Sequence, residues 1–371
     1  MKILFPFVGD TIGGSHISAF TLFNCLKAQY PQIKFNVLVF TASDSFKNCA
    51  LANNIQFHEL GVVLKSYSKF GIIYDTLKTI ILITKYLSKK DFDIVHTNDI
   101  RMHLIFLVAS KFVSIKHLWH QRTSMPRSSF GQKVFLLCNK FIVISNFILK
   151  QIHIPVPPNK VSMIYNPVES YFASKKKLAA KKELFGKKKC KLAFVANMQG
   201  RKKPKFFLAL AKYFTKVHPN RYQFIMMGRI SSDISEIIDR YKKNGDLDDN
   251  FEVAGFKSNM NIYWPDIDFL IAPAIEEGFG RTIVEAMRAG VISIAYNSGG
   301  HPEIIQHEYN GFLIDKLNLK LFSSKVFSIE KNLKNYMKIL KNGQKDATLH
   351  FSATEHTKKI VALYNEMIAD R

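Results

Sequence analysis

The sequence predicts an α/β protein made of two Rossmann-like domains. Three observations carry that prediction. Short apolar runs alternate with stretches of helical period along most of the chain. The alternation breaks between Glu169 and Lys191, where Lys and Ala dominate. Finally, Ala272 to Gly311 reads as strand end, Glu/Gly loop, helix, strand and second Gly-rich loop. That order brings two acidic residues, two glycine loops and two helix N-termini to the carboxyl ends of adjacent strands, the edge where an open α/β sheet binds ligands.

In chain order, Ile3 to Val8 is the first strand, and Gly9-Asp10-Thr11-Ile12-Gly13-Gly14-Ser15 is a loop before a helix through Ile17, Phe20, Phe23 and Leu26. The loop lacks G-x-G-x-x-G spacing, so it is either a tight turn or a place where backbone approaches a ligand. Asn36–Thr41, the alternating Ile55–Leu60, Phe92–Asp99, Lys116–Arg122, Phe141–Asn146 and Val161–Pro167 are the next strands. Ile72–Leu87 and Met102–Val113 are helices, and Ser145 or Asn146 caps another. His96 and His120 fall at strand carboxyl ends, as site groups or as buried structural histidines.

The second half restarts with strand Leu192–Asn197, a basic loop Met198–Lys203 and helix Phe206–Phe214, then strand Tyr222–Met227, helix Ile234–Lys243 and strand Phe251–Phe256. The run Ile267–Ala272 is a buried strand, Thr282-x-x-Glu285 is a capping-box pattern placing a helix start near Thr282, and Val291–Tyr296 is the last strand assigned. Ala353–Ile368 is an amphipathic helix with Ile360, Leu363, Tyr364 and Met367 on one face. The expected boundaries are 1–170 for an acceptor-binding domain, 171–190 for a basic linker, 191–345 for a nucleotide-sugar domain and 346–371 for a terminal helix that packs back on the first domain. The roles of the first, third and last of these rest on the resemblance given below.

The chain has 53 Lys+Arg against 29 Asp+Glu, a net +24, which favours polyanions or anionic membrane. Its basic runs are Lys175–Lys177, Lys181–Lys182, Lys187–Lys189 and Arg201–Lys203. No zinc spacing, aromatic RNA-binding block or helix-turn-helix signature accompanies the charge, so no nucleic-acid partner is expected. Four cysteines without a CxxC pair read as reduced thiols of a cytoplasmic protein. No apolar stretch approaches the roughly 20 residues of a spanning helix, and the N-terminus does not read as a signal peptide. Apolar and basic residues mixed through the first domain (Phe106, Phe112, Lys111, Lys116, Phe130, Lys133, Phe135, Lys140) suggest a peripheral membrane surface.

The basic loop with Arg201 and Lys202 and the helix start at Gly280-Arg281-Thr282 both follow strand carboxyl ends, and together they make a diphosphate site. Glu285 is either a hydroxyl acceptor beside it or half of the capping box. Glu277, ahead of the glycines, faces a polyhydroxyl group at the far end of the diphosphate or is a solvated loop carboxylate.

The segment Glu277-Gly278-Phe279-Gly280-Arg281-Thr282-Ile283-Val284-Glu285 resembles the E-x7-E signature of retaining glycosyltransferases of family 4, which have the two-domain GT-B fold. Gly299-Gly300-His301-Pro302-Glu303, Asn310-Gly311-Phe312-Leu313, Lys202-Lys203-Pro204 and Tyr165-Asn166-Pro167-Val168 are similar to that family too. The resemblance implies two domains facing a central cleft and a C-terminal helix that crosses back. It implies that Glu277 binds donor-sugar hydroxyls, that backbone N–H groups from Phe279, Gly280, Arg281 and Thr282 hold the diphosphate, and that Glu285 binds ribose. Lys202 would neutralise the departing diphosphate, and His120 would face the donor sugar. Gly13 and Gly14 would approach the donor phosphates or the acceptor, and base recognition would lie at Gly255-Phe256. Where the family often has Arg, this chain has Asn197, and Arg201 would supply a charge from a different position. The donor expected is a UDP- or GDP-sugar, and the acceptor a cell-surface glycan or glycolipid. No cofactor and no metal are expected, because Asp91-Phe92-Asp93 and Asp266-Ile267-Asp268 sit at strand entrances. A GT-B sugar-nucleotide epimerase, an inactive homologue and, remotely, a nucleic-acid-binding protein are the alternatives.

Overall fold

The computed structural model describes the chain except residues 11, 63–68, 126–127, 170–171, 175–177, 179–188, 248, 258 and 370–371. The lysine runs at 175–177, 181–182 and 187–188 lie outside the described residues. The chain divides into one unit of Met1–Pro167 with Ala353–Arg371 and a second of Val168–Ser352.

The first unit holds a parallel sheet of β1 Lys2–Phe7, β2 Lys34–Val39, β3 His58–Glu59, β4 Ile94–Thr97, β5 Lys116–Gln121, β6 Lys140–Val143 and β7 Val161–Met163. Their spatial order is β3-β2-β1-β4-β5-β6-β7. Strand alternation splits β1 between two cores: Ile3, Phe5 and Phe7 join Phe20, Phe23 and Phe46 on one face, while Leu4 joins Leu38, Val95 and Phe106 on the other. Phe5 meets Phe23 edge-on at 4.6 Å between centroids, an arrangement that adds about 0.5–1.5 kcal/mol to the burial of the rings.

The helix Ala353–Ala369 completes the first of these cores with Ile360, Leu363, Tyr364 and Met367, as its apolar face predicts. It lies against the helix Gly14–Gln29. Phe106 and Phe135 are buried in this unit, and Lys140 is buried and ion-paired with Glu366, so these three do not belong to the membrane surface expected there. Of its other members Lys111, Phe112 and Lys133 are exposed and Lys116 is half-buried, and the side chain of Phe130 lies outside the described residues.

The second unit holds β8 Cys190–Val195, β9 Tyr222–Met227, β10 Phe251–Gly255, β11 Phe269–Ala272, β12 Ile292–Tyr296 and β13 Phe312–Ile314. These parallel strands run in the order β10-β9-β8-β11-β12-β13. Of the stretch expected as a linker, Ala173 and Leu178 pack into this unit's core, and Ala173 N–H donates to the Arg288 carbonyl. Helix Leu319–Glu330 packs against β13 and helix Leu333–Phe351 against β12; the latter takes in residues 346–351, expected in the terminal helix, which starts at Ala353 instead. The two crossing points of the chain are neighbours: Val168 N–H donates to the Phe351 carbonyl at 2.9 Å.

Candidate functional site

Strand order reverses between β8 and β11, so the loops that follow these two strands part from each other at the carboxyl edge of the second sheet. Such a switch point opens a crevice for a ligand. The loop after β8 closes in a short 3-10 turn, Gly200–Lys202, and Lys203 takes the left-handed conformation (φ 57°) before the helix Pro204–Val217. The loop after β11 carries Glu276 at φ 50° and Glu277. Backbone bonds tie the two loops together: Ile275 N–H donates to the Arg201 carbonyl at 2.8 Å.

Lys202 Nζ and Arg201 Nη1 both donate to one oxygen of Glu277, Oε2, the Arg201 contact being 3.1 Å. Burial pushes the Glu277 carboxyl up, but Lys202, with smaller help from Arg201 and His301, more than offsets it and holds the group below the ordinary carboxylate range. The other oxygen, Oε1, has no protein hydrogen bond among the described residues. Glu277 is thus an ionised carboxylate with one oxygen pinned and one to spare.

The loop after β12 supports this arrangement from behind. Gly299 lies at φ 63°, and a Cβ there would stand 2.3 Å from the Glu277 carbonyl oxygen and 2.5 Å from its nitrogen. Gly300 N–H donates to that same carbonyl at 2.7 Å, and Ser298 Oγ accepts from Glu276 N at 3.0 Å. His301 is buried, and its Nδ1 donates to the Tyr296 carbonyl at 2.8 Å, which leaves Nε2 as an acceptor. Burial holds this histidine below its usual range. No local pattern assigns His301 a role, and its closeness to Glu277 and Lys202 emerges only in three dimensions.

The helix Arg281–Arg288 begins on Gly280, whose φ of 109° no Thr would adopt, and no side chain caps it. The expected capping box is therefore not formed. Glu285 instead accepts from Arg281 Nε at 2.9 Å through Oε1, while Oε2 has no protein partner among the described residues. Burial pushes the Glu285 carboxyl up and Arg281 partly offsets this. An uncapped helix N-terminus offers N–H groups and positive potential to an anion. At the far side of the same edge, exposed Phe256 follows Gly255 (φ 69°) and lies under the Arg229 guanidinium at 5.2 Å, a flat platform suited to a base. Arg229 N–H in turn donates to Asn197 Oδ1 at 3.2 Å.

Two stretches of the chain match family models: residues 12–170 the model for Glycosyltransferase Family 4, and residues 175–346 that for Glycosyl transferases group 1. The chain belongs to glycosyltransferase family 4. This glycosyltransferase is 23% identical, over 80% of its length and 81% of the relative's, to the UDP-Gal:alpha-D-GlcNAc-diphosphoundecaprenol alpha-1,3-galactosyltransferase of Escherichia coli. It is also 23% identical to the N-acetyl-alpha-D-glucosaminyl L-malate synthase of Bacillus anthracis, over 82% and 81% of the two chains. Its GT-B fold matches that of Anabaena HepE, solved with UDP and glucose, with a TM-score of 0.79 at 17% identity over 98% of this chain and 99% of that one.

The remaining expected site residues of the transferase, Gly13, Gly14 and His120, belong to the first unit. Gly13 N–H donates to His16 Nδ1 at 3.3 Å, and a Cβ on Gly13 would meet nothing within 4 Å. His120 is fully buried at the end of β5. Its Nδ1 lies 3.1 Å from His96 Nε2, and His96 Nδ1 lies 2.6 Å from the Tyr364 hydroxyl. Burial, reinforced by Arg122, keeps both imidazoles neutral, far below their usual range. With Tyr364 donating to His96 and His96 to His120, every proton in the chain has an acceptor except the last, the Nε2–H of His120. The Asp91/Asp93 and Asp266/Asp268 pairs stay at the amino edges, where Asp91 pairs with Lys2 at 3.0 Å and Asp268 accepts from Lys191 N at 2.9 Å.

Proposed function

We propose that the chain is a retaining, metal-independent hexosyltransferase that moves the sugar of a UDP- or GDP-sugar to a hydroxyl of a cell-surface glycan or glycolipid. The observation that carries this reading is the convergence of Lys202 and Arg201 on one oxygen of Glu277 at the switch point of the second sheet. Cleaving a sugar–phosphate bond builds negative charge on the departing diphosphate. Two cations and an uncapped helix N-terminus at one sheet edge are a means of stabilising that charge without a bound metal. Glu277 Oε1 is the acceptor for donor-sugar hydroxyls, Glu285 Oε2 for those of the ribose, and Phe256 with Arg229 the platform for the base.

With Glu277 already neutralised by two cations, it is a poor nucleophile, so retention follows a one-face course. The C1–O bond to phosphate breaks as the acceptor oxygen bonds C1 on the same face, and the acceptor proton passes to the departing phosphate oxygen. The E. coli relative's name specifies UDP-galactose and a diphosphoundecaprenol-linked sugar, which favours an acceptor carried on lipid and a place at the inner face of a membrane. No helix among the described residues is long and apolar enough to cross one.

The test is donor hydrolysis and transfer with a panel of UDP-, GDP- and ADP-sugars, with and without EDTA. Glu277→Ala is expected to lose activity about a hundredfold or more, in line with removal of a group that acts in the transition state. Equal turnover by the variant would overturn the site, and activity abolished by EDTA and restored by a divalent cation would overturn metal independence.

A further inference from the structure

We infer that the outer face of two neighbouring helices of the first unit, Lys69–Ser88 and Ile100–Phe112, docks onto an anionic lipid bilayer. On the second helix Ile100, Leu104, Val108 and Phe112 follow one another at intervals of four and are all exposed, Phe112 by 74%. At 1.5 Å per residue this stripe is about 18 Å long. The opposite side of the same helix, with Met102, Ile105, Phe106 and Ala109, fills the core. The first helix packs alongside it, burying Ile83 and Leu87 in the same core, and exposes Ile73, Leu77 and Ile81, each by more than half. A helix pair that has already buried one apolar side and still presents a second requires a partner for it.

Charge selects that partner. The two helices carry Lys69, Lys78, Lys85, Arg101 and Lys111 against one carboxylate, Asp75, and Lys89-Lys90 follow directly. Lys78, Lys85, Arg101 and Lys111 are exposed beside the apolar stripes. A second copy of this chain would set like charges against each other, whereas anionic headgroups pair with the lysines while acyl chains receive the leucines and isoleucines. The face also replaces the surface expected from sequence, whose Phe106, Phe135 and Lys140 are internal. The inference takes its biological sense from the lipid-linked reading of the acceptor, so vesicle binding is measured apart from turnover.

The experiment is sedimentation of the full chain with vesicles of phosphatidylcholine alone and of equal parts phosphatidylcholine and phosphatidylglycerol, at low and high salt. Two double variants are compared, Leu104→Glu with Val108→Glu and Lys78→Glu with Lys85→Glu, each checked for thermal unfolding, oligomeric state and nucleotide-sugar hydrolysis. The wild type is expected to bind only the anionic vesicles, more weakly at high salt, and each double variant to bind at least about tenfold more weakly with unchanged unfolding and hydrolysis. Wild-type protein that ignores anionic vesicles, variants that bind like wild type, or a wild-type dimer that the leucine–valine variant dissolves would each overturn the inference. Hydrolysis without vesicle binding overturns the docking face and leaves the donor site standing. Vesicle binding without hydrolysis of any nucleotide sugar supports the face and counts against the proposed function.

Discussion

Replacing Gly299 by Ala should disable the transferase from a position that carries no functional group. The new Cβ would stand 2.3 Å from the Glu277 carbonyl oxygen, where ordinary contact begins at 3.4 Å, so the Glu277 loop must retreat by about 1 Å. Alanine at φ 63° adds about 1–2 kcal/mol of backbone cost. The bond from Gly300 N–H to the same carbonyl stretches with the loop. The expected destabilisation is about 2–4 kcal/mol, visible as a lowered Tm. More telling is the folded fraction. A 1 Å displacement of a positioning carboxylate costs about a hundredfold in turnover, so kcat/KM for donor hydrolysis should fall by that order below Tm. Gly343→Ala, whose Cβ would meet its neighbours at 3.4 Å, is the control and should leave turnover unchanged. A Gly299→Ala protein with a lowered Tm but wild-type kcat/KM would refute the idea that the glycine loop aims Glu277.

Lys202→Met should let the Glu277 carboxyl rise back toward its ordinary range, moving the acid limb of the kcat/KM profile to higher pH; an unmoved limb would detach Glu277 from that profile. Acid should unfold the first unit early. Burial holds His117 and His356 down at about 3 and His16 at about 4, with Lys111 and Arg122 pushing the first two the same way and Asp10 partly raising the third. The unfolded chain binds these protons from about pH 6.5, so stability is full above that and falls by about 1.4 kcal/mol per pH unit for each histidine as the pH drops toward the folded values. By pH 4.5 the three together remove about 8 kcal/mol, comparable to the stability of a whole domain, and circular dichroism should show loss of structure between about pH 4 and 5; a signal intact at pH 3 would contradict neutral burial. Tyr364→Ala should cost about 3–5 kcal/mol by removing a fully buried ring, whereas Tyr364→Phe should keep most of the stability and lower turnover by loosening His120, and equal activity of the Phe variant would separate His120 from its supports.

Much of the second sheet is legible in the chain because buried parallel strands read as unbroken apolar runs: Ile267–Ala272 and Val291–Tyr296 each fall within two residues of the observed strands. The edge is less legible. Ile55–Leu60 alternates well, yet the strand that forms is only His58–Glu59, since an edge strand has one neighbour to fix its length. Thr282-x-x-Glu285 fits a capping box, but a glycine at φ 109° ahead of it lets the helix start without one, and Arg281 claims the carboxylate. Phe106 and Phe135 look like members of a membrane surface because composition alone does not say which face of a helix turns inward. The His120–His96–Tyr364 chain spans 268 residues of sequence between its last two members, and no local pattern signals such a contact. The convergence of Arg201 and Lys202 on Glu277 was foreseeable only as shared placement on one edge; that both cations choose the same oxygen depends on loop geometry.

The helix Ala353–Ala369 has a consequence for how the protein is made. It supplies Ile360, Leu363, Tyr364 and Met367 to a core whose other members precede Pro167, so the ribosome must finish Val168–Ser352 before that core can close. At about 5–20 residues per second the first-made unit waits roughly ten seconds or longer with its aromatic cluster incomplete, while the second unit has all its own residues in one continuous stretch. Birth order and folding order are thus expected to be reversed, and the nascent first unit is expected to leave its phenylalanines incompletely covered until the terminal helix arrives.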